Sequence, residues 1–247
     1  MSNPNLLQRL QHESHIWFVV PESVQDHARL HAFQAMLAED ETRRHRRFHF
    51  PEDRHRFLVS HALVRQVLSR YCALAPEEWR FSRSEHGKPE ICNLEAAPLR
   101  FNLTHTTGLA ACIVNLSGAC GIDAEKITAR HDPTGVARRM FSQAEYLHQR
   151  GLTGQAQLEY FFQRWTLREA YVKARGIGIH FPTRKLLFRV DAEDKICVEF
   201  APDINDCDAN WQLQLLRPTE HHIAAVAVAH AGPQRKTIIA QPFEFPG

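Results

Sequence analysis

The sequence lacks paired-cysteine motifs, long apolar runs and strong net charge, and each absence removes a class of protein. Its six cysteines (Cys72, Cys92, Cys112, Cys120, Cys197 and Cys207) form no Cys-x-x-Cys pair. That spacing argues against a disulfide framework or a zinc ribbon, and thiols set mostly in apolar segments fit a reducing cytoplasm. The longest aliphatic run, 223–229, is far too short to span a bilayer. The first fifteen residues show no charged-then-apolar leader pattern, so no membrane partner is expected. The formal net charge is only +2, so any electrostatic function must lie in local patches. Histidine is abundant at sixteen, and His27/His31 and His45/His49 have a helical i, i+4 spacing. With no His-Glu-x-x-His and no cysteine or acidic partner at zinc-ligand spacing, these read as solvated or phosphate-facing imidazoles.

What remains is an ordinary globular composition: 247 residues, 44% apolar and 23% charged, enough for one large domain or two small ones. Residues 15–20 read as a buried strand stopped by Pro21, 26–48 as helix, and 54–74 as an amphipathic helix ended by Pro76. A turn-rich stretch at 81–91 precedes two strands in 101–115. The plan then recurs. A strand at 119–127 is followed by a capping box at Ser142-x-x-Glu145 and a helix at 160–175 stopped by Gly176 and Gly178. Strands follow at 184–190, 195–200, 211–217 and 222–229, and the tail after 232 reads as partly irregular. This faint duplication predicts an α+β fold of two similar α/β halves, 1–117 and 118–247. No Pro/Gly/Ser linker separates them, so one compact body with a cleft is expected.

Five features carry chemistry. Asp123 and Glu125, alternate residues of a strand, share one face; they could hold Mg²⁺ or form a solvated acidic edge. Glu169 and Lys173, four apart on a helix, are either a surface ion pair or an acid and a cation facing a cleft. Thr104 and His105 lie in 102–108, a turn that could hold a phosphate or simply close a hairpin. Gly87-Lys88-Pro89 follows Arg83 and His86, and Pro89 restricts the direction of Lys88; the plain alternative is a surface turn. Residues 43–56 hold Arg43, Arg44, Arg46, Arg47, Arg54 and Arg56 against Glu52 and Asp53. Such a stretch suits a nucleic acid, a phosphate-rich cofactor, an acidic protein or plain solvent.

Taken in order, these features resemble the Sfp-type 4′-phosphopantetheinyl transferases. That family shows a Gly-Ile/Val-Asp-x-Glu strand and, about forty residues on, a helix reading Trp-x-x-Lys-Glu-(Ser/Ala)-x-x-Lys. Here Gly121-Ile122-Asp123-Ala124-Glu125 precedes Trp165-Thr166-Leu167-Arg168-Glu169-Ala170-Tyr171-Val172-Lys173. The basic segment ending in Arg-Phe, the Gly-Lys-Pro turn and the Phe-Asn-Leu-Thr-His run also match, so the likeness covers about 40–230.

The resemblance implies two α+β halves with coenzyme A in the cleft between them. It implies Mg²⁺ on Asp123, Glu125 and Glu169, the nucleotide and phosphate end lined by Arg44, Arg83, Gly87, Lys88, Thr104 and His105, and Lys173 on phosphate. The reaction it implies moves phosphopantetheine from coenzyme A to a serine of an apo acyl or peptidyl carrier protein, releasing 3′,5′-ADP. Glu169, directly or through water, is then the candidate base, Asp123 and Lys173 complete the catalytic set, and a cytoplasmic monomer is expected. Three departures stand out: Arg168 replaces the usual Lys, Thr104 carries an added methyl, and Glu41 stands where some relatives carry a basic residue. The competing reading is a nucleic-acid-binding protein using the arginines of 43–56, with binding that falls steeply as salt rises.

Overall fold

The computed structural model describes residues 4–96, 98–129, 133–178, 181–191, 193, 195–230 and 235–246. The chain forms two units, Met1–Ser117 with Lys236–Gly247, and Gly118–Arg235.

The first unit begins with α1 (Pro4–Arg9), β1 (Glu13–Val19), α2 (His27–Met36), α3 (Glu39–Arg47) and α4 (Pro51–Leu68). The short strands β2 (Phe81–Arg83) and β3 (Pro89–Ile91) follow, then the hairpin β4 (Leu99–Thr106) and β5 (Leu109–Leu116). Helix α4 starts on Pro51, whose missing N–H costs nothing there, and carries Glu52 and Asp53 in its first turn. It buries Leu58, Leu63, Val67 and Leu68 against the sheet. Each such side chain contributes roughly 1.5–3 kcal/mol. Strand β5, paired on both edges by β1 and β4, is buried along nearly its whole length.

Two helices end earlier than the sequence expectation, while α4 and, in the second unit, the helix expected over 160–175 begin earlier, at Pro51 and Gly154. The helix expected over 26–48 breaks at Leu37 and Ala38, both extended. Glu41 is the cause. Its carboxylate accepts from the Ala38 amide at 2.9 Å, contacts His61 Nδ1 at 2.8 Å and accepts from buried Arg65 at 2.5 Å. The chain therefore restarts as α3 on α4. The helix expected over 54–74 stops at Leu68 because Tyr71 turns inward. Its hydroxyl accepts from Trp17 Nε1 at 2.8 Å and lies 2.7 Å from His15 Nδ1.

The second unit comprises β6 (Cys120–Lys126), α5 (Pro133–Met140), α6 (Gln143–Gly151), α7 (Gly154–Arg175), β7 (Leu186–Val190), β8 (Ile196–Phe200), β9 (Trp211–Thr219) and β10 (His222–Ala229). Strands β6, β10 and β9 form an antiparallel sheet in that order, and β7 and β8 pair separately. Ser142 and Glu145 cap α6 reciprocally. Helix α7 ends where Gly176 takes φ +65° and its amide donates to the Val172 carbonyl at 3.0 Å. Its Leu167, Ala170, Tyr171 and Ala174 pack with Leu213, Ala225 and Ala227. Each unit thus sets one long helix on a sheet whose most buried strand, β5 or β10, is rich in small apolar residues.

The boundary expected for the second half changes. Strand β11 (Thr237–Pro242) belongs to the first unit and runs parallel to β1, with Glu13 opposite Thr237 and Phe18 opposite Pro242. Lys236 pins the entry, its Nζ donating to the Leu10 carbonyl at 2.7 Å and to Asn115 Oδ1 at 2.8 Å. A six-residue strand paired in parallel with a partner over 200 residues earlier has no local turn signal, so the tail reads as irregular in sequence. Residues 233, 234 and 247 of that tail lie outside the described residues. Among the described residues no helix is long and apolar enough to cross a membrane. Cys72, Cys112 and Cys120 are buried, and Cys92 and Cys207 are exposed free thiols.

Candidate functional site

In the second unit the site starts from a glycine. A Cβ on Gly121 would lie 2.1 Å from the Ala170 carbonyl oxygen and 2.4 Å from the Ala174 amide nitrogen. Only a residue without a side chain lets β6 and α7 touch backbone to backbone here. It also shows which face of β6 looks at the helix. By strand alternation Asp123 and Glu125 share that face, while Ile122 and Ala124 are buried on the other.

The helix meets them with Glu169 and Lys173. Lys173 Nζ donates to Asp123 Oδ1 at 2.6 Å. Asp123 is buried, whereas Lys173 and Glu169 are partly open to solvent. Burial raises the pKa of Glu169, the Asp123 charge raises it further, and Lys173 opposes both. Two acids that feel each other, with a lysine between the opposing effects, form one electrostatic unit rather than a surface i, i+4 pair. Glu125, one pleat further toward exposed Lys126, is half-buried.

Arg168 points elsewhere. It is fully buried, its guanidinium pairing with Glu145 and donating to the carbonyls of Arg164 at 2.9 Å, Leu186 at 3.0 Å and Met140 at 3.2 Å. The rings of Phe141 and Phe188 lie 4.4 and 5.2 Å from its charge centre. A lysine has no fork to meet four acceptors. The arginine therefore fixes the back of α7, leaving Glu169 and Lys173 to the front.

Among the described residues no three His, Cys, Asp or Glu side chains stand as a ready-made metal cage. Mg²⁺ does not need one. It takes one or two carboxylates and completes its octahedron with waters and phosphate oxygens. Asp123, Glu125 and Glu169 supply oxygen donors only, so the donor set fits Mg²⁺ and disfavours the softer metals.

In the first unit a cavity of about 230 Å³ is lined by Arg44, Arg83 and His105, with Asp40, Glu41, His61, Phe81 and Phe101 among its other walls. Of the residues singled out in sequence, Gly87, Lys88 and Thr104 are not in that lining. Gly87 sits at φ +82° in the β2–β3 turn, where Arg83 donates to its carbonyl at 3.3 Å. Thr104 and His105 are on strand β4, not in a turn; the turn proper is Thr107-Gly108, with Gly108 at φ +85°. Thr104 is buried and His105 exposed, as alternation requires. Sequence reasoning missed Glu41, His61 and Arg65 as one buried cluster. Glu41 stood out only as a departure, and its partners lie on α4, twenty and twenty-four residues later. The cluster holds the Glu41 pKa down to about 2. Burial alone would raise it, and the His61 hydrogen bond, the His61 and Arg65 charges and the Ala38 amide outweigh that.

Comparison with known proteins decides the family. Residues 119–227 match the 4′-phosphopantetheinyl transferase superfamily, and 25–116 match the 4′-phosphopantetheinyl transferase N-terminal family. The chain is 33% identical to the 4′-phosphopantetheinyl transferase HetI of Nostoc sp. over 237 residues, 96% of each protein. The chain belongs to the Sfp-type 4′-phosphopantetheinyl transferases. The transferase is also 31% identical to Sfp of Bacillus subtilis, over 71% of this chain and 76% of that one. A solved holo-(acyl-carrier-protein) synthase from Bacillus anthracis, in complex with CoA (3′,5′-ADP), aligns over 46% of the transferase and 96% of its own chain at 21% identity, TM-score 0.37.

Proposed function

We propose that the transferase moves the 4′-phosphopantetheine arm of coenzyme A onto a serine of an apo acyl or peptidyl carrier protein, with Mg²⁺, releasing 3′,5′-ADP. The observation that carries this reading is the second-unit centre: Asp123 salt-bridged to Lys173 and electrostatically coupled to Glu169, set on the two segments that define the family.

In this reading Asp123, Glu125 and Glu169 hold the metal. Mg²⁺, when bound, neutralises pyrophosphate oxygens and polarises the phosphorus under attack. The residues do the rest. The serine oxygen forms a bond to the β-phosphorus while the bond from that phosphorus to the oxygen of the departing 3′,5′-ADP breaks. The serine proton passes to Glu169, directly or through one water. Without a metal, burial and the Asp123 charge raise its pKa; on Mg²⁺ the cation offsets that rise, so its part is to sit where the proton leaves. Lys173 faces the charge that develops on the transferred group. In the first unit, Arg44, Arg83, Gly87, Lys88, Thr104 and His105 serve the nucleotide and phosphate end of coenzyme A, with His105 steadying the leaving nucleotide. The pairing of Glu41 with His61 and Arg65 makes it a structural anchor rather than a phosphate contact.

The test is direct. The protein is incubated with coenzyme A, Mg²⁺ and a set of apo carrier proteins, and carrier mass is measured. A phosphopantetheine adduct is expected; no adduct on any carrier refutes the reading. Mn²⁺ binding followed by electron paramagnetic resonance tests the metal set without activity, and Asp123→Ala is expected to abolish it.

A further inference from the structure

We propose that the α3–α4 corner is the surface on which the transferase docks an acidic carrier protein. This rests on the transferase reading and extends it from the reacting serine to the body that presents it. Residues 43–56 carry a formal +4 against a total of +2 for the chain, leaving the rest of the molecule at −2. The positive charge is concentrated here.

Not all of it is available. Arg43 pairs with Glu39, Arg56 is held by Asp53 at 3.0 Å, and Arg44 stands over the Phe57 ring and lines the first-unit cavity. Arg46 and Arg47 remain, exposed on the last turn of α3 with no carboxylate partner among the described residues. Arg54, also exposed, donates to the Phe48 carbonyl at 2.8 Å and so folds back against the corner.

Cations on a last helical turn can be explained by the helix dipole alone. Phe50 cannot. It is 61% exposed, the one aromatic among the large apolar side chains left open in the described residues. Its ring is set edge-to-face on His49 at 5.0 Å. An exposed aromatic a few residues along the chain from the exposed arginines Arg46 and Arg47 has the composition of a protein-docking surface: an apolar anchor with charged side chains beside it. Charge complementarity fixes the occupant as a partner with acidic side chains around one apolar side chain. A nucleic acid fits less well. The positive patch is one corner long and offers one base-stacking ring, and the rest of the chain carries a formal −2.

The experiment uses the full chain, coenzyme A and an acidic apo carrier. It measures KM for carrier and for coenzyme A from roughly 25 to 250 mM salt, over which the Debye length falls about threefold, from roughly 19 to 6 Å, with carrier binding by fluorescence anisotropy alongside. Phe50→Ala is expected to raise the carrier KM about tenfold and leave the coenzyme A KM unchanged. Arg46→Gln/Arg47→Gln is expected to flatten the salt dependence of carrier binding. Reversal to Arg46→Glu/Arg47→Glu should be rescued by acidic-to-lysine changes on the carrier. A carrier KM and salt slope unchanged in all three variants, with the wild type active, overturn the surface alone. A wild type inactive on every carrier overturns the transferase reading, and the surface with it. Loss of duplex DNA binding in the variants, with carrier KM unchanged, gives the patch to a nucleic acid and also overturns it.

Discussion

Glu41→Gln is the sharpest probe of how the first unit is built. The wild-type carboxylate has a pKa of about 2, against 4.5 for the free side chain. That difference corresponds to about 3 kcal/mol of folding stability at neutral pH. The sign follows from the depressed folded value. The contribution is fully present above about pH 4.5 and is lost as pH falls toward 2, with about 2 kcal/mol gone by pH 3. Glutamine keeps the shape and removes the charge, leaving Arg65, 1% exposed, without its counter-ion. A buried charge left unpaired costs about 3–5 kcal/mol, so the loss at pH 7 should reach or exceed the linkage figure. Urea unfolding can follow tryptophan fluorescence, since the Trp79 carbonyl accepts from Arg65 at 2.7 Å and Trp79 is buried. The wild type should lose stability between pH 5 and 3, and the variant should lose less, so the gap between them narrows. A gap below 1 kcal/mol at pH 7 (about a third of the linkage value), or one that is the same at both ends of the range, refutes the reasoning.

Three further outcomes are expected. Asp123→Ala and Glu169→Ala should each abolish transfer with an unchanged circular dichroism spectrum, while Glu125→Ala should raise the Mg²⁺ concentration needed for half-maximal rate; retained activity in either of the first two removes the metal assignment. Gly121→Ala must push α7 off β6, because both contacts are rigid backbone. It should cost about 1–3 kcal/mol in chemical unfolding and, by shifting Glu169 and Lys173 about 1 Å, roughly 100-fold in kcat; wild-type kcat would show that the centre tolerates the shift. Arg168→Met strands buried Glu145 and should cost about 3–5 kcal/mol, with Arg168→Lys losing less, and equal stability of all three proteins by urea unfolding would count against the fourfold anchor.

The chemistry was legible wherever it followed a short period. Asp123 and Glu125 alternate on a strand and Glu169 and Lys173 stand one helical turn apart, so the faces they share could be read from spacing alone. What spacing could not show was the Lys173–Asp123 bond across fifty residues, nor that Gly121 is the contact that sets it. Contacts distant in sequence hid the remainder. The break at Leu37-Ala38 depends on Glu41 reaching α4. The hydroxyl and imidazole of Thr104 and His105 suggested a turn, yet both extend a strand because β5 pairs with them residue by residue. Arg168 looked like a conservative replacement until its four acceptors were seen on α5, α6, α7 and β7.

The parallel pairing of β11 with β1 has a consequence for the order in which the chain becomes structured. During synthesis Gly118–Arg235 emerges as one continuous stretch and can fold while the first unit still lacks a strand. Until Thr237–Pro242 leaves the ribosome, β1 presents an open edge of unpaired amides and carbonyls. Closing that edge joins segments more than 200 residues apart, the slow kind of contact. The nascent protein therefore holds the segments of its carboxylate centre before the first unit is complete, and its aggregation-prone interval lasts until β11 pairs with β1.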